Sequence, residues 1–151
     1  DESVGSSSNK IKLNFNHPCK ELVWAHQVTP AVGTDFTNFQ RNGTTGGNNT
    51  NTAQLKLNGH DRFSTQSGDY FRNVQTYQHH TSTPSEGVNV YSFALNPEDH
   101  QPSGTCNFSR IDNAELNILA TAVSAGNLHI FATNYNVLRV MSGMGGLAYS
   151  N

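Results

Sequence analysis

Apolar and polar residues alternate along this chain in short runs, and a two-residue period of that kind commits it to β-structure. In KIKLNFN, residues 10–16, Ile11, Leu13 and Phe15 fall on one face and Lys10, Lys12 and Asn14 on the other. Successive strand side chains point to opposite faces, so this is a strand with one face buried. Pro18, following His17, ends the run, because proline cannot extend an inner ladder. KELVWAHQV (20–28) repeats the pattern: Leu22, Trp24 and Val28 share a face, and Val23 and Ala25 make the other partly apolar. AQLKLNG (53–59), TCNFSRI (105–111), ELNILATAV (115–123) and LHIFATNYNVLRVM (128–141) read as further strands, with turns at Asp112-Asn113 and Ala125-Gly126-Asn127. VNVYSFAL (88–95) is apolar or aromatic on both faces, which predicts an inner strand covered on both sides. The tail SGMGGLAYS adds a short last strand.

Only SGDYFRNVQTYQ (67–78) has a helical period: Asp69 is placed as N-cap, and Tyr70, Val74 and Tyr77 recur at i, i+4 and i+7. HHTSTPSEG (79–87) and NPEDHQPSG (96–104) are turn-rich loops. Residues 29–52 form a connection long enough to be functional or mobile. Phe36 and Phe39 can pin its first half, whereas 42–52 has nothing to bury. Six or seven strands, one short helix and long loops make an all-β sandwich. Spacing alone does not separate a jelly roll from an immunoglobulin-like sandwich. The Cys-Trp-Cys order of the latter fails, because Trp24 follows Cys19 closely and the next cysteine is Cys106.

Composition excludes several classes. The 151 residues suit one domain with a core. They include 19 Asn, 14 Thr, 14 Ser and 13 Gly, residues of turns and strand faces rather than helix interiors. Charged residues make up 13%, against about 25% in an average chain, which argues against a salt-bridged helical protein. Nine scattered Lys and Arg against eleven acids do not make an electrostatic nucleic-acid binder. No apolar run approaches the ~18 residues of a membrane span. The opening DESVGSSSNK is too polar for a signal peptide, and residues 1–9 read as a linker or cut end. Cys19 and Cys106 read as free, partly buried thiols. The N-x-[ST] sequons at Asn42, Asn48 and Asn107 are numerous by virtue of composition and, without a secretory signal, read as silent for glycosylation.

The search for chemistry yields little. His79-His80 is the first metal candidate, but adjacent strand residues point to opposite faces and cannot chelate one ion. Pro102-Ser103-Gly104 has the P-x-G of a cupin metal pattern, yet Asn107 stands where the histidine belongs. Asp99-His100 and His60-Asp61 are acid–histidine neighbours. No G-x-S-x-G elbow accompanies them, and sequence neighbours seldom form the spatial pairs of a triad. Gly143 to Ala148 matches G-x-G-x-x-A, but too few residues follow for the helix a dinucleotide site needs. The glycines are read instead as allowing a tight bend or close packing. There is no P-loop. No catalytic, cofactor-binding or metal-binding residue is expected, which leaves a binding module or a building block.

Four stretches carry more. IKLNFNHPCKELVWAHQ (11–27), LKLNGHDRFS (55–64), YFRNVQTYQHHTSTPSEGVNVYSFALNPEDHQPSGTCNFSRIDNAELNI (70–118) and ATNYNVLRVMSGMGGLAYSN (132–151) resemble the C-terminal part of the major capsid proteins of nucleocytoplasmic large DNA viruses. The resemblance spans nearly the whole chain after residue 10, except 29–52. It implies two jelly rolls per chain, with residues 10–151 as most of the second and the missing strands upstream. It further implies homotrimers of pseudo-hexagonal outline that tile an icosahedral shell over an internal membrane, assembled in host cytoplasm. Minor capsid proteins are the further partners it implies; direct nucleic-acid contact and membrane insertion are not expected. The terminal LAYSN matches the family's ending. A charge-poor, Asn-, Ser- and Thr-rich surface suits wet polar contacts between like subunits. On this reading the 29–52 loop projects outward with Asn42 to Asn51 at its tip, and 88–141 supplies the central strands. The competing readings are a glycan-binding, lectin-like jelly roll using the Asn-rich loop and a metal-dependent cupin enzyme.

Overall fold

The computed structural model describes residues 2–4, 8–28, 39, 48–120 and 126–149. Two antiparallel sheets face each other. The first runs β1 (Glu2–Val4), β10 (Gly126–Asn134), β3 (Pro18–Val28), β7 (Val88–Ser92), with β8 (Cys106–Asn107) also paired to β3. The second runs β2 (Ser8–Lys12), β9 (Ala114–Ala120), β4 (Thr50–Leu57), β5 (His60–Asp61), with β6 (Gln66–Ser67) also on β4. A separate hairpin pairs β11 (Leu138–Met141) with β12 (Met144–Leu147). The chain crosses between sheets from β1 to β2, β2 to β3, β3 to β4, β6 to β7, β8 to β9 and β9 to β10, and the early strand β1 lies beside the late strand β10. This is the winding of a jelly roll.

Alternation places the core. In the first sheet Leu22, Trp24 and His26 of β3 sit opposite Ala132, Ile130 and Leu128 of β10. In the second, Leu116 of β9 lies between Ile11 and Leu55, and Ile118 beside Ala53. Leu22, Trp24, Leu55, Phe71, Leu116 and Leu128 are fully buried, each stabilising by about 1.5–3 kcal/mol relative to exposure. Trp24 meets Phe71 edge-on at 5.0 Å, and Phe63 links Phe71 to Tyr91 across the same core. Lys10, Gln54 and Asn117 line up on the outer face of the second sheet, as the alternation requires.

Several sequence expectations are corrected. The 1–9 stretch is no mere linker: Glu2–Val4 pairs with Leu128 to Gly126, and Ser8 and Asn9 open β2. β1 is a three-residue piece. The run 128–141 is broken at residues 135–137, and 105–111 holds only the short β8 followed by a 3-10 turn, Phe108–Arg110. Of the strands expected to be central, β9 and β10 are inner, whereas β7 closes one edge of its sheet. Its outer edge is covered, because Ser92 N–H donates to the buried Gln75 side chain at 3.2 Å, the protection an edge strand needs.

The helix exists but presents a different face. Tyr70–Val74 is a π-helical turn that runs into α1 (Gln75–His79), and Asp69 makes no side-chain cap bond. A π turn holds more residues than an α turn and shifts the phase of everything after it. Phe71, Gln75 and Thr76 are buried, while Tyr77 of the expected stripe is 87% exposed. The connection 29–52 lies outside the described residues at 29–38 and 40–47. At its far end, Thr50 to Thr52 belong to β4.

Candidate functional site

The asparagines expected at an exposed tip include two that knit the sandwich together. Asn49 is 2% exposed and Asn89 0%. Asn48 Nδ2 donates to Asn89 Oδ1, and Asn89 Nδ2 donates in return to Asn48 Oδ1 at 3.2 Å and to Thr50 Oγ1 at 3.3 Å. Thr50 N–H donates to Asn48 Oδ1 at 3.0 Å. Asn49 Nδ2 reaches the carbonyls of His26 and Phe39, both at 3.0 Å. Thus β4 of one sheet is tied to β3 and β7 of the other. Buried amides need such partners: Asn49 is inside and Asn48 is half-buried against Asn89, contrary to the tip reading. Gly68 packs against this knot, where a Cβ would lie 2.1 Å from the Thr50 carbonyl.

The sequons divide accordingly. Asn42 lies outside the described residues. Asn48 spends its amide on Asn89. Asn107 is exposed, and its side-chain oxygen accepts from Ser109 N–H at 3.1 Å to cap the 3-10 turn. The hydroxyl of Ser109 accepts from His17 N–H at 2.9 Å.

His79, His80 and Glu98 are structural ties. His79 and His80 end the helix rather than lying on a strand, and they still diverge. His79 Nδ1 meets the Leu95 carbonyl at 2.8 Å, while His80 sits between Glu21 and Glu98, 3.1 Å from each. Thr81 N–H also donates to Glu98 Oε1, and this bond, with His80, holds the Glu98 carboxyl below the usual range. The 96–104 loop is thereby clamped to β3 through the helix end. Asp99 N–H donates to the Asn96 carbonyl, in a turn, and Asp61 lies 3.5 Å from Lys56. Among the described residues no three His, Cys, Asp or Glu side chains converge to hold a metal ion. Cys19 and Cys106 face each other across β3 and β8 as free thiols. Burial pushes the Cys19 thiol up to about 12 and raises that of Cys106, which suppresses the reactive thiolate.

Both glycine-bearing turns are hairpin bends. Asn58-Gly59 has φ of 51° and 80°, and Ser142-Gly143 has 51° and 77°, the paired positive values of a type I′ turn. The Gly143 motif thus serves β11–β12 and no nucleotide. Asn-Gly at 58–59 is the strongest short hairpin signal a sequence offers, and it marks the end of β4 within the run read as one strand. The hairpin β11–β12 has no buried residue: every position is exposed. Sequence periodicity registers such residues only as strand. The described residues form a sandwich with an exposed apolar hairpin, and His79, His80, Glu98 and Asp99 line an open surface pocket beside the helix end.

The chain is similar to proteins of viral shells. The family model described as large eukaryotic DNA virus major capsid protein matches residues 2–146. The major capsid protein of Pyramimonas orientalis virus is 48% identical, aligned over 97% of this chain and 40% of its own. A structure of the PBCV-1 virus capsid superposes with a TM-score of 0.79 at 39% identity, over 97% of this chain and 47% of that one. The Faustovirus major capsid protein shares the fold alone, with a TM-score of 0.68 at 11% identity over 87% of this chain and 32% of its own. The chain spans less than half the length of each of these relatives, and its jelly-roll winding and its family match agree. It belongs to the major capsid protein family of large eukaryotic DNA viruses.

Proposed function

We propose that this chain is the second of two jelly rolls in a capsid protein whose intact form assembles, without catalysis, into homotrimers of pseudo-hexagonal outline. These capsomers tile an icosahedral shell in the virion and are built in host cytoplasm, with minor capsid proteins as further partners. The observation that carries this reading is the superposition on the PBCV-1 capsid chain over 97% of this chain and 47% of that one. That coverage fits one half of a doubled architecture. The sandwich is also suited to a shell. His79 and His80 are spent on internal ties, and the chain's polar residues are amide and hydroxyl more than charge. Among the described residues no helix is long and apolar enough to cross a membrane. Residues 29–47 are the part proposed to project from the capsomer, anchored where Asn48 and Asn49 enter the core. The three sequons are proposed to carry no N-linked sugar.

Light scattering of the intact protein distinguishes the readings. A trimer in the absence of any ligand is expected, together with a blank glycan array. A monomer that binds glycan would overturn the proposal in favour of a lectin. Limited proteolysis of assembled particles should cut within 29–47; full protection there would remove the projecting loop. Intact mass of virion protein checks the sequons.

A further inference from the structure

We propose that Cys19 and Cys106 form a redox-dependent disulfide that staples β8 to β3, made and broken by exchange with small-molecule disulfides and thiols. The staple uses contacts inside this sandwich alone. Its use, stiffening a shell that passes from reducing to oxidising surroundings, rests on the capsid reading above.

The chain has two cysteines, far apart in sequence. The fold sets them directly opposite each other, Cys19 of β3 being the register partner of Cys106 of β8. Directly opposed antiparallel residues have Cα atoms about 4.5–5.5 Å apart, within the ~4.4–6.8 Å that a disulfide spans. Such partners also share a face. Cys19 is fully buried in the core, and Cys106 is half-buried against the same cluster. Bridging them therefore asks for side-chain rotation and not for backbone movement. In the reduced protein the Cys19 thiol donates to the Glu21 carbonyl at 3.1 Å, a weak bond that the rotation gives up.

The site is asymmetric, which fixes the order of events. Cys106 is the reachable thiol, whereas Cys19 is 0% exposed. Burial raises both thiols and so slows exchange, while the Arg62 guanidinium acts the other way on Cys106 and favours its thiolate. Cys106 attacks one sulfur of a small-molecule disulfide. That S–S bond breaks, and the leaving half takes up the proton that Cys106 gave. Cys19 then attacks Cys106 Sγ, its proton goes to the departing second half, and the Cys19–Cys106 bond forms. Two cysteine thiols are oxidised and one small disulfide is reduced to two thiols. Excess small thiol reverses both steps.

The bond holds a lightly paired piece of the first sheet. β8 has two residues, and the turn after it is tied to β3 by Phe108 N–H to the His17 carbonyl at 3.2 Å and His17 N–H to Ser109 Oγ at 2.9 Å. Reduced, this segment separates from β3 by breaking a few hydrogen bonds, the kind of local opening that short pairings allow. Oxidised, it is tied covalently, and the unfolded chain is constrained over a long loop.

The experiment uses the intact capsid protein, folded, incubated with oxidised or with excess reduced glutathione. Each sample is acid-quenched, alkylated in urea, digested and weighed. Expected in the oxidised sample is a peptide pair joined through Cys19 and Cys106, absent from the reduced one. The melting temperature of this domain should rise with it by roughly 10 °C. Cys19→Ala should stop at the first step and keep one glutathionyl group on Cys106. Cys106→Ser should leave Cys19 unmodified, and neither variant should gain stability on oxidation. Comparing oxidised with reduced wild type requires neither variant to fold. A wild type that stays reduced, one that keeps glutathione on Cys106, a link from either cysteine to another site, or a joined pair with no rise in melting temperature would each overturn the proposal. Light scattering is read separately: a monomeric wild type refutes the capsid reading and leaves the staple standing.

Discussion

Replacing Asn89 by alanine probes the claim that buried amides, and not apolar contact alone, hold the two sheets together. The side chain is 0% exposed. It exchanges reciprocal hydrogen bonds with Asn48, and its Nδ2 also reaches Thr50 Oγ1 at 3.3 Å and the Gly87 carbonyl at 3.4 Å. Two well-formed bonds contribute about 0.5–1.5 kcal/mol each, and leaving Asn48 Nδ2 without its acceptor adds about 1–3 kcal/mol, for an expected loss of about 3 kcal/mol. For a chain of this size that lowers the melting temperature by roughly 6–12 °C. Asn89→Asp should be at least as damaging, since it removes the donors from a site where three acceptors converge and adds a buried charge. Urea unfolding followed by circular dichroism measures both, with the exposed Asn127→Ala as a control expected within ~0.5 kcal/mol of wild type. A cycle with Asn48→Ala should show strong non-additivity, because both changes break the same pair. If Asn89→Ala unfolds within ~0.5 kcal/mol of wild type, the knot contributes nothing and apolar contact alone joins the sheets.

Other expectations follow from the same packing. Ile118, 3% exposed in the inner strand β9, should not tolerate aspartate: lost apolar packing alone costs ~2–5 kcal/mol, and the unpaired charge adds more. Soluble yield and circular dichroism report it, and a normal yield would refute the inner placement of β9. His26 is buried, and burial, reinforced by His129, lowers its pKa. The unfolded chain then binds more protons, so stability should be intact above the ordinary histidine value of about 6.5 and decline as pH falls through it toward the folded value. His26→Leu should flatten that part of a stability–pH profile; an unchanged slope would show the imidazole to be solvated. Cys19, with its thiol pushed up to about 12, should resist iodoacetamide at mildly alkaline pH until urea is added, and alkylation at the rate of a free thiol would contradict its burial.

The resemblance to the family was legible in four contiguous stretches, and the family model matches residues 2–146. The alternation at Ile11, Leu13, Leu22 and Trp24 was equally plain, since a strand's inward face is set by a period of two. The candidate site was less legible. His79 and His80 declared a pair but not their separate partners, Leu95 on one side and Glu21 with Glu98 on the other. Those partners are far away in the chain, and no local pattern encodes them. The helix face was misjudged for a different reason. A π turn at Tyr70–Val74 changes the residues per turn, and a periodicity read at the α-helical spacing then points to Tyr77 instead of Gln75.

By itself, then, the sequence determined the strand faces, the all-β class and the absence of a metal- or nucleotide-binding pattern, all of which depend on residues near one another in the chain. Tertiary structure alone decided which asparagines are buried. Asn49, read as part of a loop tip, is core because its amide reaches the His26 carbonyl of β3, and its neighbour Asn48 is half-buried against Asn89 of β7. It also decided that Leu138, Val140 and Met144 stay outside. Apolar residues in a strand pattern predict burial, but burial needs a second surface, and in this sandwich that surface is already filled by Trp24, Phe71 and their neighbours.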